Sequence, residues 1–92
     1  MADKTPEWLK AGEGFTDVTL SRPIEIAGAP VTTVRMREPT VADQMAASKQ
    51  VGAAAQEIAL LANLMELAPD DLKRLPLKDY KRLQEAFMGF ID

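Results

Sequence analysis

The stretch from Asp17 to Gln44 constrains this chain most, because it joins two alternating segments to a helix start with little slack. Val18, Leu20, Ile24 and Ile26 fall on one face of an extended segment. Val34 and Met36 resume the alternation after Ala27-Gly28-Ala29-Pro30, with the period of two that a half-buried strand requires. The spacing predicts a β-hairpin over residues 17–38 with Gly28 in its turn. Opposing Ile26 to Val34 and Ile24 to Met36 puts Arg22 opposite Glu38. A neighbouring register with Ile24 facing Val34 satisfies the same alternation. Pro39 disfavours helix at Glu38 and closes the second strand. Thr40, with Asp43 three residues later, forms a capping-box-like start for the first helix. Two strands alone are marginal, so this sheet must be covered by helices or extended by another chain.

Residues 1–16 read as a flexible N-terminal arm, since Pro6, Gly12 and Gly14 lie among scattered charges. Trp8, the single tryptophan, either folds back over the hairpin or waits for a partner. From Val41 onward the pattern is helical, with helices predicted over about 40–66, 69–75 and 77–91. Gly52 either weakens one long helix or separates two that meet near residues 51–54, and we prefer the break. Pro69 suits a first helical turn, Asp70 and Asp71 suit its N-terminal dipole, and Pro76 stops that helix near Leu75. Tyr80, Leu83, Phe87, Phe90 and Ile91 form the expected core face of the last helix. The sum is one small α+β domain over residues 17–92, an N-terminal β-hairpin packed with three or four α-helices.

The chain contains neither cysteine nor histidine, which removes thiolate chemistry, the usual general base and the commonest metal ligand. Its glycines form no phosphate-binding motif, and Ser21 and Ser48 have no histidine to activate them. We therefore expect no catalytic, cofactor or metal site and no enzyme activity. The net charge of −3 is concentrated in residues 40–66, where Asp43, Glu57 and Glu66 outnumber Lys49. Lys73, Arg74, Lys78, Lys81 and Arg82 cluster, but Asp70, Asp71, Asp79 and Glu85 interleave with them as local ion pairs would. Nucleic acid is thus not an expected partner. The start of the chain lacks the pattern of a signal peptide, and no apolar run approaches a membrane span. No membrane association is expected, and the cytoplasm is the expected compartment.

Between Val51 and Met65 the only charged residue is Glu57. At 100° per residue, Val51, Ile58, Leu61, Ala62 and Met65 form one stripe, while Ala53, Leu60 and Leu64 form another on roughly the opposite side. Either the monomer sandwiches this helix, or the second stripe binds another protein. On the second reading, Ala53, Leu60 and Leu64, with Trp8, are the candidate partner-binding residues, and self-association is an expected consequence.

The ordered pieces Leu20-x-x-Pro23-Ile24, Gly28 and Val34-x-Met36-Arg37-Glu38-Pro39-Thr40 with Asp43 are followed by Leu64-x-x-Leu67-x-Pro69-x-x-Leu72-x-x-Leu75-x-x-x-Asp79. Together they cover most of Val18 to Phe90. This order resembles the tail assembly chaperones of Mu-like and related contractile-tailed phages and prophages. The resemblance implies a morphogenesis factor that binds the tape-measure protein and keeps it soluble in the bacterial cytoplasm until the tail tube polymerises. Two other classes are a small DNA-binding phage regulator, with a helix-turn-helix across Asp70 to Phe87, and a structural tail component.

Overall fold

The computed structural model describes residues 5–92. Three antiparallel strands, β1 (Leu9–Gly12), β2 (Phe15–Ile26) and β3 (Ala29–Arg37), lie in the order β1-β2-β3. Four helices follow, α1 (Val41–Ala47), α2 (Ala53–Met65), α3 (Pro69–Lys73) and α4 (Leu77–Ile91). The α+β class and the single small domain are as the sequence predicts, but the hairpin is part of a larger sheet.

The expected arm over residues 1–16 is corrected by β1; its first four residues lie outside the described part of the chain. Leu9 pairs with Val18 and Gly12 with Phe15, across a tight turn in which Gly14 has φ +80°. The glycines that suggested flexibility have specific places. Gly14 supplies the left-handed turn residue, and Gly12 lies against the Phe15 ring, which a Cβ at that position would strike.

The β2–β3 register is also corrected. Ile26 pairs with Ala29, Ile24 with Val31, Val18 with Val34 and Thr16 with Met36. Two features cause the change. The turn is shorter than expected, with positive φ at both Ala27 and Gly28, as a two-residue type I′ connection requires. Between the Thr19–Thr33 and Ile24–Val31 pairs, β2 then carries Leu20 to Pro23 opposite Thr32 alone. Pro23 has no N–H to give a ladder, so it belongs in such a bulge.

The helices take up polar groups of β2 in and around this bulge. Ser21 donates its backbone N–H to Asp79 Oδ1 at 2.8 Å and its hydroxyl to Asp79 Oδ2 at 2.9 Å. Arg82 donates to the Thr19 carbonyl at 2.7 Å, and Arg74 donates to the Glu25 carbonyl. Asp79 is fully buried and therefore pins α4 to the middle of β2.

Val18, Leu20, Val34 and Met36 form the inner face of the sheet, against Leu61, Ala62, Leu64 and Met65 of α2, Leu72 of α3, and Leu83 and Ala86 of α4. Thr19, Thr33 and Arg35 face outward. The predicted helix over 40–66 is two helices, interrupted by residues 48–52. Gly52 takes φ +100° at the start of α2, a conformation that a residue with a Cβ strongly resists. The last turn of α2 ends at Glu66, itself left-handed, and α3 is shorter than the predicted 69–75. With Ala68 at its start, no side-chain oxygen caps α3 from that position. Instead the Ala68 N–H donates to Asp71 at 3.1 Å, the reciprocal half of a capping box.

Candidate partner-binding groove

Burial along α2 changes with position rather than simply with face. Ala53, Ala54 and Ala55 are exposed, Ile58, Ala59 and Leu60 are half-buried, and Leu61, Ala62, Leu64 and Met65 are buried. Leu64, expected on a partner-binding stripe, is only 1% exposed and belongs to the core. The C-terminal half of α2 lies between the sheet and other helices, so both predicted stripes are covered there. Val51, expected on the inner stripe, is 94% exposed because the chain has left the helix before Gly52. Ile91, expected in the core of α4, is 55% exposed.

These displacements leave a groove between α1 and α4. One part, of about 370 Å³, is lined by Gln44, Ala47, Ala53, Leu60, Phe87 and Ile91 among others. It adjoins a second part, of about 200 Å³, that shares Gln44, Leu60, Phe87 and Ile91 and reaches Pro39, Thr40 and Val41. Leu60 is common to both parts, and Phe87 and Ile91 contribute from α4. Val41, at the end of the groove, is 78% exposed, and Met45, one turn further along α1, is 65% exposed. Glu57 joins the helices at its polar end, accepting hydrogen bonds from the Tyr80 hydroxyl at 2.6 Å and from Gln84 at 2.9 Å. Burial first, and then the Glu57 carboxylate, raise the Tyr80 pKa well above the ordinary phenol value.

The α1 wall is held by one carboxylate. Arg37 donates two bonds of 2.7 Å to Asp43, Thr40 donates from its backbone N–H at 2.9 Å and its hydroxyl at 3.0 Å, and Asn63 donates at 3.1 Å. In return the Asp43 N–H donates to the Thr40 hydroxyl oxygen at 3.3 Å, completing the capping box. Asp43 thus joins β3, α1 and α2 through side-chain bonds. The Arg37 guanidinium is the largest cause, with the Thr40 backbone second, holding its carboxyl far below the usual range.

Of the partner-binding residues expected from the sequence, the structure brings Ala53 and Leu60 into the groove and places Leu64 in the core. Trp8 does not line it. Its carbonyl accepts from the Thr19 N–H at 2.8 Å, and the Arg82 guanidinium lies 5.0 Å from its ring centroid, so Trp8 folds back over the sheet. The motif residues have separate structural places. Pro23 lies in the bulge, Ile24 pairs beside it, and Gly28 turns the hairpin. The Glu38 N–H donates to the Gly14 carbonyl at 3.0 Å, Pro39 lines the groove's end, and Arg37, Thr40 and Asp43 form the polar junction.

Sequence reasoning missed Phe87 and Ile91 as groove walls because helical periodicity put them in the core. The available signal was the surplus of apolar positions on α1, where Val41 and Met45 share a stripe one helical turn apart. In the basic cluster, Lys73 pairs with Asp70 at 3.6 Å, Arg74 with Asp71 at 3.1 Å, and Arg82 lies 3.9 Å from Asp79. Among the described residues no three His, Cys, Asp or Glu side chains are grouped as a metal site would need, and no helix is long and apolar enough to cross a membrane.

Comparison with protein families matches residues 17–92 to the model for phage tail assembly chaperone proteins, E, or 41 or 14. No curated protein and no solved structure matches the chain.

Proposed function

The chain belongs to the phage tail assembly chaperone family, and from that premise we propose that it binds the tape-measure protein and keeps it soluble during tail morphogenesis. The observation that carries this reading is the groove over Leu60, bounded by Phe87 and Ile91 and flanked by the exposed Val41 and Met45. An amphipathic helix fits such a surface by placing apolar side chains from successive turns along one groove. Each large side chain fully buried there contributes about 1.5–3 kcal/mol before association costs. The protein acts by covering its partner and performs no chemistry, in the bacterial cytoplasm. Several copies cover a long partner, assisted by self-association along the outer edge of β3, on the side away from β2, where no strand pairs with it among the described residues.

Co-expression with the tape-measure protein tests this function. The wild-type chain should keep that protein in the soluble fraction, and Leu60→Asp combined with Ile91→Asp should abolish the rescue while the chaperone remains folded. Equal solubility of the tape-measure protein without the chaperone would reject the proposed function. Full rescue by the folded double variant would reject the groove.

A further inference from the structure

We propose that α1 is a latched strap over the binding face of α2, released by opening of the Asp43 junction. The inference rests on the proposed function for the identity of the partner, but the strap motion is a property of the free protein.

Only Asp43 and Ala47 of α1 are buried, so this seven-residue helix has almost no apolar anchor. Open depressions flank it on two sides. Gln44 and Ala47 line the groove, and a separate depression of about 190 Å³ lies among Asp43, Ala46, Ala47, Ala59 and Asn63. The principal attachment is therefore polar, through Arg37 and Asn63 to one carboxylate.

Both ends of α1 have the means to turn. Residues 48–52 form an irregular connection ending at Gly52 with φ +100°, and Pro39 and Thr40 form the corner before the helix. Val41, at the end of the groove, and Met45 remain largely exposed in the closed arrangement. Lifting α1 would merge the two flanking depressions over Ala59 and Leu60 into one apolar trough. The lifted helix could then turn its Val41–Met45 stripe toward the bound partner. A partner that contacts this enlarged surface binds the open form preferentially and draws the equilibrium toward it.

The absence of cysteine permits a clean test in the full chain. Hydrogen exchange on the free protein should show the Ser48, Lys49 and Gln50 amides, which bond within or just beyond α1, opening before those of Leu61 to Met65. Asp43→Asn should speed the first group by about tenfold, the order expected for loss of one charge-assisted interaction, and the second by no more than the accompanying loss of global stability. Equal opening of both groups in wild type, or no acceleration of the first group in the variant, would overturn the strap.

In the second arm, Ala46→Cys and Ala59→Cys are joined by a short thiol-reactive cross-linker, avoiding the narrow geometry of a direct disulfide. The linked form should bind a helical tape-measure segment about tenfold more weakly than the unlinked double variant, a difference corresponding to a modest opening preference. Equal affinity of the two forms would overturn the strap's role in binding while preserving the groove. Failure of both forms and of wild type to bind would reject the proposed partner, and the exchange result would then decide the strap by itself.

Discussion

Arg37 at the end of β3 grips Asp43 in the first turn of α1 through two hydrogen bonds of 2.7 Å. With Asn63 bonded to the same carboxylate, the sheet and two helices meet at one charge. Asp43→Ala should lower stability by about 1–3 kcal/mol, because it leaves Arg37 and Asn63 without their acceptor. Thr40→Ala should cost about 0.5–2 kcal/mol through loss of the cap. Thermal and denaturant melts measure both, and an unchanged midpoint for Thr40→Ala would show that its observed cap contributes no net stability.

The pH dependence follows from the same junction. The carboxyl of Asp43 titrates below its unfolded value, so protons bind first to the unfolded chain. Its stabilising contribution is present above the unfolded value of about 3.9 and is lost as pH falls toward the folded value. Acid denaturation of wild type should therefore steepen below about pH 4, and Asp43→Asn should flatten that limb. Tyr80 has the opposite sign, since its raised pKa makes its contribution full below about pH 10 and lost at higher pH. Tyr80→Phe should reduce the alkaline loss, as measured by denaturant titration at each pH.

Leu60 and Leu64 lie one helical turn apart in α2 but should respond differently to charge. Leu64→Asp places a carboxylate in the core and should prevent stable folding, since the large-to-small loss alone is about 2–5 kcal/mol. Leu60→Asp should retain a cooperative melt and lose binding of the tape-measure segment. Circular dichroism and a binding titration separate these outcomes, and similar folding losses in both variants would show that Leu60 is also essential to the core.

Asp79 should be more sensitive than its position in a charged cluster suggests. Asp79→Ala removes the acceptor for both the Ser21 N–H and hydroxyl, and should cost about 1–3 kcal/mol for the unsatisfied backbone group. Ser21→Ala removes only the hydroxyl bond and should cost about 0.5–1.5 kcal/mol. Chemical denaturation gives the comparison; equal losses would show that the backbone bond is not the more important one.

The self-association proposed for β3 should appear in sedimentation velocity as a concentration-dependent increase in mass. Replacing Thr33 with Pro should suppress it by adding a residue that gives no backbone N–H to strand pairing. A variant that remains folded but associates as strongly as wild type would place any self-contact elsewhere.

The sequence by itself determined the paired strands, the Pro39 corner, the Thr40 cap and the limits of α4, because each depends on nearby residues and short-range backbone preferences. Alternation placed Val18, Leu20, Val34 and Met36 on one face, and all four entered the core. Tertiary structure decided whether residues 9–12 became an arm or a strand, since their partners lie beyond a turn in β2. It also decided the register, because the Leu20–Pro23 bulge is held by Asp79 from 58 residues away. The same limit applies to the groove. Helical periodicity found the two stripes of α2, but only the packing of α1, α4 and the sheet separated Leu60 at a surface from Leu64 in the core.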